Sequence, residues 1–259
     1  MFLRHSLNVL VVLSLLLLVF GLAWEYSTRQ YLQGFSDAIV PKPATDEQKV
    51  EAILGWIEHG PPHQGLLPPE NPLSSRDPRR NLNYTALLRV CGSAVNAFVN
   101  LSLSSDIEAR RLLLLDANRL TKHVVAEVRL GERWVVVDPT YRLFFRDASG
   151  APLTKEQLRD PAVLREATQH VKDYDPIYSY ESTAHIRLRR LPLVGRWLRA
   201  GLDRFLPGWE EKVNWTLVVE RSSTFTSIVA AFALFVCLLA HLVLGWYGRK
   251  RLGSSGAGA

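Results

Sequence analysis

The chain has 259 residues, with 31 Lys and Arg against 25 Asp and Glu and a formal net charge of +6. Four of the basic residues (Arg4, Arg249, Lys250, Arg251) and none of the acidic ones lie outside residues 25–224. The central part therefore carries 27 basic against 25 acidic residues, a near balance that excludes nucleic acid as a partner and leaves the basic excess at the chain ends.

In chain order, residues 1–6 form a short basic N-terminus and residues 7–24, LNVLVVLSLLLLVFGLAW, carry no charged side chain. That is long enough to cross a hydrocarbon core of about 30 Å as a helix. No A-x-A-like small-residue site follows Trp24, which favours an uncleaved anchor over a signal peptide. Residues 225–247 read as a second span, followed by a basic tail over 248–259. Positive charge flanking both spans predicts cytoplasmic termini and a periplasmic 25–224, placing the protein in the cytoplasmic membrane with the lipid bilayer as its first partner. Within the outer part the reading is a linker over 25–43, a domain over 44–184 and a membrane-proximal extension over 185–224.

The domain opens with a helix over residues 44–60. Thr45 and Gln48 make a capping box, Val50, Ile53, Leu54 and Ile57 form one apolar face, and Gly60-Pro61 ends it. Residues 61–82 are rich in Pro, Ser and Arg and read as a long loop, either a lid over a site or a surface connection. Cys91 then begins a stripe that continues through Ala94, Val95, Phe98 and Leu101, the i, i+3, i+4 spacing of an amphipathic helix. The only other cysteine, Cys237, lies in the second span. A lone thiol in an oxidising compartment is either a small buried hydrophobe or a working group. In the first turn of a helix it faces free backbone N–H groups and the positive end of the helix dipole, which favour a thiolate and would also hold an oxyanion.

Residues 122–141, KHVVAEVRLGERWVVVDPTY, read as a hairpin turning at Gly131-Glu132, where Gly suits the first central position of a type II′ turn. That turn pairs Leu130 with Arg133, Glu127 with Val136 and Val125 with Asp138. His123, Glu127, Trp134 and Asp138 share one face, and Val124, Ala126, Val128, Val135 and Val137 make an apolar face opposite. His123 is then diagonal to Asp138, within side-chain reach. A thiol, an imidazole and a carboxylate that orients the imidazole are the components of nucleophilic catalysis by cysteine.

Cys91 in CGSAVNAFVNLSLSSDIEARRLLL, His123 at a strand start and Asp138 before Pro139, in that order, resemble the core of the transglutaminase-like superfamily of papain-like cysteine enzymes, in a membrane-anchored bacterial type of member. The resemblance covers about residues 44–145. It implies an α+β fold, a helix packed on an antiparallel sheet, held between two transmembrane helices. Two departures stand out: Arg89 and Val90 occupy positions where the family often has glycine, and Asp106-Ile107-Glu108 replaces its usual Gly-Ile/Val-Pro ahead of Ala109-Arg110. The oxyanion donor is left open among Gln64, Asn81, Asn83 and Tyr84.

Further on, residues 153–171 read as one or two short helices, and Tyr174, Tyr178 and Tyr180 as a substrate groove or a partly buried strand. Residues 193–206 form a basic amphipathic helix in which Trp197 and Phe205 with Arg196, Arg199 and Arg204 suit a lipid headgroup plane, a membrane partner's docking face, or an ordinary domain helix. No Cys/His spacing resembles a metal site, no cofactor motif occurs, and the Asn-x-Ser/Thr triplets at Asn83, Asn100 and Asn214 read as chance. The resulting expectation is a membrane-anchored thiol enzyme acting on an amide or ester carbonyl, by hydrolysis or acyl transfer, with an envelope or membrane-linked substrate. The alternative is a non-catalytic accessory in a membrane assembly that handles an envelope polymer or polysaccharide.

Overall fold

The computed structural model describes residues 2–59, 76–88, 90–186, 195–209 and 214–255. Two compact units emerge: one from residues 1–27 and 222–259, the other from residues 28–221.

The first unit pairs the beginning of α1 (Phe2–Ile39) with a long C-terminal helix, α9 (Ser222–Ser255). Both are long and apolar enough to cross a membrane, and their apolar windows are only 6% buried. A core helix of a water-soluble domain would be mostly covered, so this surface calls for lipid. The helices run antiparallel. Asn8 meets His241 at 3.0 Å near one end, and the Ser223 and Thr224 hydroxyls donate to Glu25 Oε2 at 2.7 and 2.9 Å near the other. Between them Gly21 lets the backbones approach, because a Cβ there would stand 2.7 Å from Ser227 Oγ. An antiparallel pair crossing a bilayer leaves both chain ends on one face.

The second unit is a five-stranded antiparallel sheet of order β4-β3-β2-β1-β5. Its strands are β1 (Ala109–Leu115), β2 (Thr121–Leu130), β3 (Arg133–Asp138), β4 (Leu143–Phe144) and β5 (Thr183–Ala184). The β2–β3 hairpin has the predicted register, Leu130 opposite Arg133 and Glu127 opposite Val136. Gly131 has φ +59°, and Glu132 is not among the positive-φ residues, the combination a type II′ turn requires.

One sheet face carries Val124, Ala126, Val128, Val135 and Val137 and packs against α2 (Asp46–Glu58) and α5 (Cys91–Ser104). Helix α2 begins with the predicted box, Thr45 Oγ1 accepting from Gln48 N and Gln48 Oε1 from Thr45 N, and buries Val50, Ile53, Leu54 and Ile57. Residues 25–39, read from sequence as linker, instead extend α1 beyond the apolar stretch, and Leu32, Phe35 and Ile39 join this core. The opposite face is also covered. Leu112, Leu114, Val125 and Val136 pack under Leu143, Phe145, Leu153, Leu158, Ala167 and Tyr180, contributed by the chain from β4 to β5. That stretch includes a 3-10 turn at Gln157–Arg159 and α6 (Pro161–Thr168), which Asp160 caps by accepting from Ala162 N.

Helix α5 is buried on more than its apolar stripe: Ser93, Asn96, Asn100 and Ser102 are inside as well. The two asparagines find partners far along the chain. Asn96 Nδ2 donates to the Glu220 carbonyl and to Glu220 Oε2 at 2.7 and 2.8 Å, and Arg221 Nε donates to Asn100 Oδ1 at 2.6 Å. Glu220 also pairs with Arg111 on β1. These bonds tie the end of α8 (Thr216–Glu220) to α5, and full burial of Asn100 rules out a glycan there. Replacing Asn96 by Ala removes the acceptor for the Asn81 amide and the donor to Glu220, so a loss of about 1–3 kcal/mol is expected. Thermal unfolding of the full chain in detergent micelles measures it.

Candidate active site

The N-terminus of α5 is an open helix end. Its N-cap is Val90, extended at φ −144°, ψ 157°, whose side chain has nothing to offer the first-turn N–H groups. Ser93 bonds the other way, its hydroxyl donating to the Val90 and Leu87 carbonyls. Cys91 is the first residue of the helix, half-buried and unpaired in any disulfide. Its sulfur is near enough to the His123 ring to help raise that ring's pKa.

His123 stands near the start of β2, paired in register with Leu114, and is 2% exposed. Its Nε2 is 2.7 Å from Oδ2 of Asp138, itself fully buried. The other nitrogen, Nδ1, is the one left for sulfur. The second oxygen of Asp138 accepts from the backbone N–H groups of Thr140 and Tyr141 at 3.0 and 3.4 Å, so the Asp-Pro-Thr-Tyr turn fixes the carboxylate that orients the ring. Burial by itself drives the His123 pKa down. The Asp138 carboxylate, through charge and hydrogen bond, and then the Cys91 sulfur outweigh that effect and push it up to about 9 from 6.5. At neutral pH the ring is an imidazolium between a carboxylate and a sulfur.

The structure thus brings Cys91, His123 and Asp138 together from α5, β2 and β3. The four oxyanion candidates fare differently. Asn81, at the end of α3 (Pro78–Asn81), is buried and donates its amide to Asn96 Oδ1 at 2.8 Å, beneath the helix that carries Cys91. Asn83 is exposed, while Gln64 and the side chain of Tyr84, in α4 (Tyr84–Leu87), lie outside the described residues, as does most of the 61–82 loop. The backbone N–H groups of Cys91 and Gly92 remain the donors built into the helix end. Asp106, where the family pattern has glycine, takes φ +61°, the left-handed conformation that glycine otherwise supplies, and Ile107 behind it is buried.

Two features were not read from the sequence. Tyr178 stacks on His123 with ring centroids 4.2 Å apart and planes 9° from parallel, in a segment that is not a strand. A second buried imidazole, His185, bonds Glu127 Oε2 at 2.7 Å on the same sheet face, and Arg110 Nε reaches that oxygen at 2.8 Å. Burial favours the neutral acid at Glu127, but His185, Arg110 and Lys155 hold its carboxyl below the ordinary range. Glu127 was legible as sharing the His123 face, whereas no local signal marks His185.

Residues 33–139, 107 of the 259, match the family model described as transglutaminase-like superfamily. Comparison with curated proteins and with solved structures gave no match.

Because His123 titrates near 9 when folded and near 6.5 when unfolded, its pairing stabilises the fold fully below about pH 6.5. That contribution, of order 3 kcal/mol, is lost as pH rises through about 9. Unfolding temperatures taken from neutral to alkaline pH are expected to fall more steeply for the parent chain than for Asp138→Asn, in which the raised pKa is lost.

Proposed function

We propose, from the match of residues 33–139 to the transglutaminase-like superfamily model, that the outer domain is a thiol enzyme acting on an amide or ester carbonyl. The observation that carries the proposal is Cys91 at an uncapped helix N-terminus, acting on the pKa of an imidazole that Asp138 holds at 2.7 Å. An imidazolium against the sulfur favours the thiolate, the nucleophilic form. Cys91 Sγ attacks the carbonyl carbon; a C–S bond forms, and the carbonyl π electrons move onto oxygen, where the first-turn N–H groups of α5 receive them. His123 then gives its Nδ1 proton to the leaving nitrogen or oxygen as that bond to carbon breaks, leaving a thioester. Water or an amine, deprotonated by the now neutral His123, attacks the thioester carbon; the C–S bond then breaks, the acid or new amide leaves, and sulfur returns as thiolate beside the imidazolium. Asp138 keeps the imidazole oriented throughout and steadies its charge.

The reading extends to where the enzyme works. The two apolar helices anchor it, both termini are cytoplasmic, and the domain faces the periplasm, which makes envelope or membrane-linked molecules its substrates. Helix α7 (Gly195–Phe205) supports the same picture. Trp197 is 82% exposed and Phe205 79%, with Arg199 and Arg204 on the same helix, a composition suited to lipid headgroups; the Arg196 side chain lies outside the described residues.

Two measurements test these statements. With Cys237→Ser to leave one thiol, Cys91 is expected to alkylate near neutral pH much faster than an ordinary cysteine, and His123→Ala to slow it by about 10²-fold or more. A thiol of ordinary reactivity, indifferent to His123, leaves the non-catalytic alternative. For α7, a nitroxide placed through Trp197→Cys in a chain carrying Cys91→Ser and Cys237→Ser, held in nanodiscs, is expected to collide more with oxygen than with a water-soluble relaxing agent, and the reverse result removes the lipid contact.

A further inference from the structure

The surroundings of His123 are more enclosed than a thiol–imidazole–carboxylate set requires. Tyr178 covers one face of the ring in a parallel stack, and Tyr141 meets it nearly edge-on at 5.8 Å and 66°. Asp138 closes the Nε2 edge, and Cys91 is near enough to the ring to help raise its pKa.

Tyr178 is delivered by a turn. The Asp175 carbonyl accepts from Tyr178 N at 3.1 Å, Asp175 Oδ1 accepts from Ile177 N at 3.0 Å, and Pro176 takes the second position, where its fixed φ suits a β-turn. The turn is itself tied to the site. The Tyr141 hydroxyl donates to the Asp173 carbonyl at 3.2 Å, and Tyr174 contacts both Tyr141 and Tyr178, at 4.9 and 5.4 Å. All three tyrosines lie beyond residue 139, outside the part of the chain that matches the family.

An aromatic face attracts a cation through its quadrupole, more strongly where water is excluded, and a ring stacked at van der Waals distance resists tilting. We propose that Tyr178 is a positioning residue for His123: its ring stacks on the imidazolium, stabilises that charged form and holds the ring plane so that the Nδ1 proton points at the Cys91 sulfur. This role rests on the thiol-enzyme reading above. It also closes one face of the ring to water or amine, so the second nucleophile approaches from elsewhere. The charged and titratable groups facing the imidazole are Asp138 from β3, Cys91 from α5, Tyr141 from the turn after β3 and Tyr178 itself.

The experiment is the pH profile of Cys91 alkylation by iodoacetamide, read by mass, in the full chain carrying Cys237→Ser and held in nanodiscs. Tyr178→Phe keeps the stack and is expected to react within about twofold of the parent. Tyr178→Leu keeps apolar bulk without the π face. Its alkaline inflection is expected about one unit nearer neutrality. A parent thiol that reacts like an ordinary cysteine, unchanged by His123→Ala, ends the thiol reading and this role with it. A parent that is fast and dependent on His123, with a Tyr178→Leu profile superimposing on it, overturns the role of Tyr178 alone. Should Tyr178→Leu fail to fold, a series of Tyr178→Phe chains with progressively fluorinated rings decides the matter, because fluorine withdraws ring electron density at nearly constant shape. A stepwise fall of the inflection supports the role, and a flat series overturns it.

Discussion

Burial of α5 between the sheet and α2 is the constraint on which the rest of the sheet domain depends. Ala94, Val95, Phe98 and Leu101 are pressed into the core, so the helix can neither slide nor turn without exposing apolar surface or stranding Asn96 and Asn100. A helix so constrained ends at a fixed point, and Cys91 is the residue at that point. Val90 ahead of it leaves the helix end uncapped by any side chain, a local cost in helix stability that keeps the N–H groups open to a negative charge.

The second constraint is that the sheet is covered on both faces. Were the His123 face open to water, its bond to Asp138 would be worth little and the imidazole would titrate near its ordinary value. The chain between β4 and β5 prevents this, laying Leu143, Phe145, Leu158 and Tyr180 across Val125 and Val136 and bringing Tyr178 onto the ring. Enclosure makes the carboxylate effective, and the carboxylate keeps the enclosed imidazole charged. Glu127 with His185 and Arg110 repeats the arrangement farther along β2 without a cysteine as its acceptor, so a buried His–carboxylate pair alone does not mark a reactive centre.

The apolar helices pose a separate physical problem. Their side chains are exposed, and the few polar ones, Asn8 with His241 and Glu25 with Ser223 and Thr224, satisfy each other across the pair. Arg221, whose guanidinium holds Asn100 of α5, is the last residue of the sheet domain, immediately before α9 begins.

Much of this was legible residue by residue. The capping box at Thr45, the stripe from Cys91, the register of the hairpin about Gly131 and the diagonal of His123 with Asp138 all follow from local rules of spacing and parity, which hold wherever a segment folds. The inner strand β1, hidden in ARRLLLL, the continuation of α1 through residues 25–39 and the minor strands β4 and β5 did not emerge, because a short apolar run has no period of its own and an amphipathic linker reads like a loop until its partner is known. The pairing of Glu220 and Arg221 with α5, and the stack of Tyr178 on His123, connect positions 121 to 124 and 55 apart in sequence. Sequence determined which side chains were capable of meeting. Only the tertiary fold decided which of them do, because long-range contacts are fixed by the shared burial of whole elements and leave no local trace.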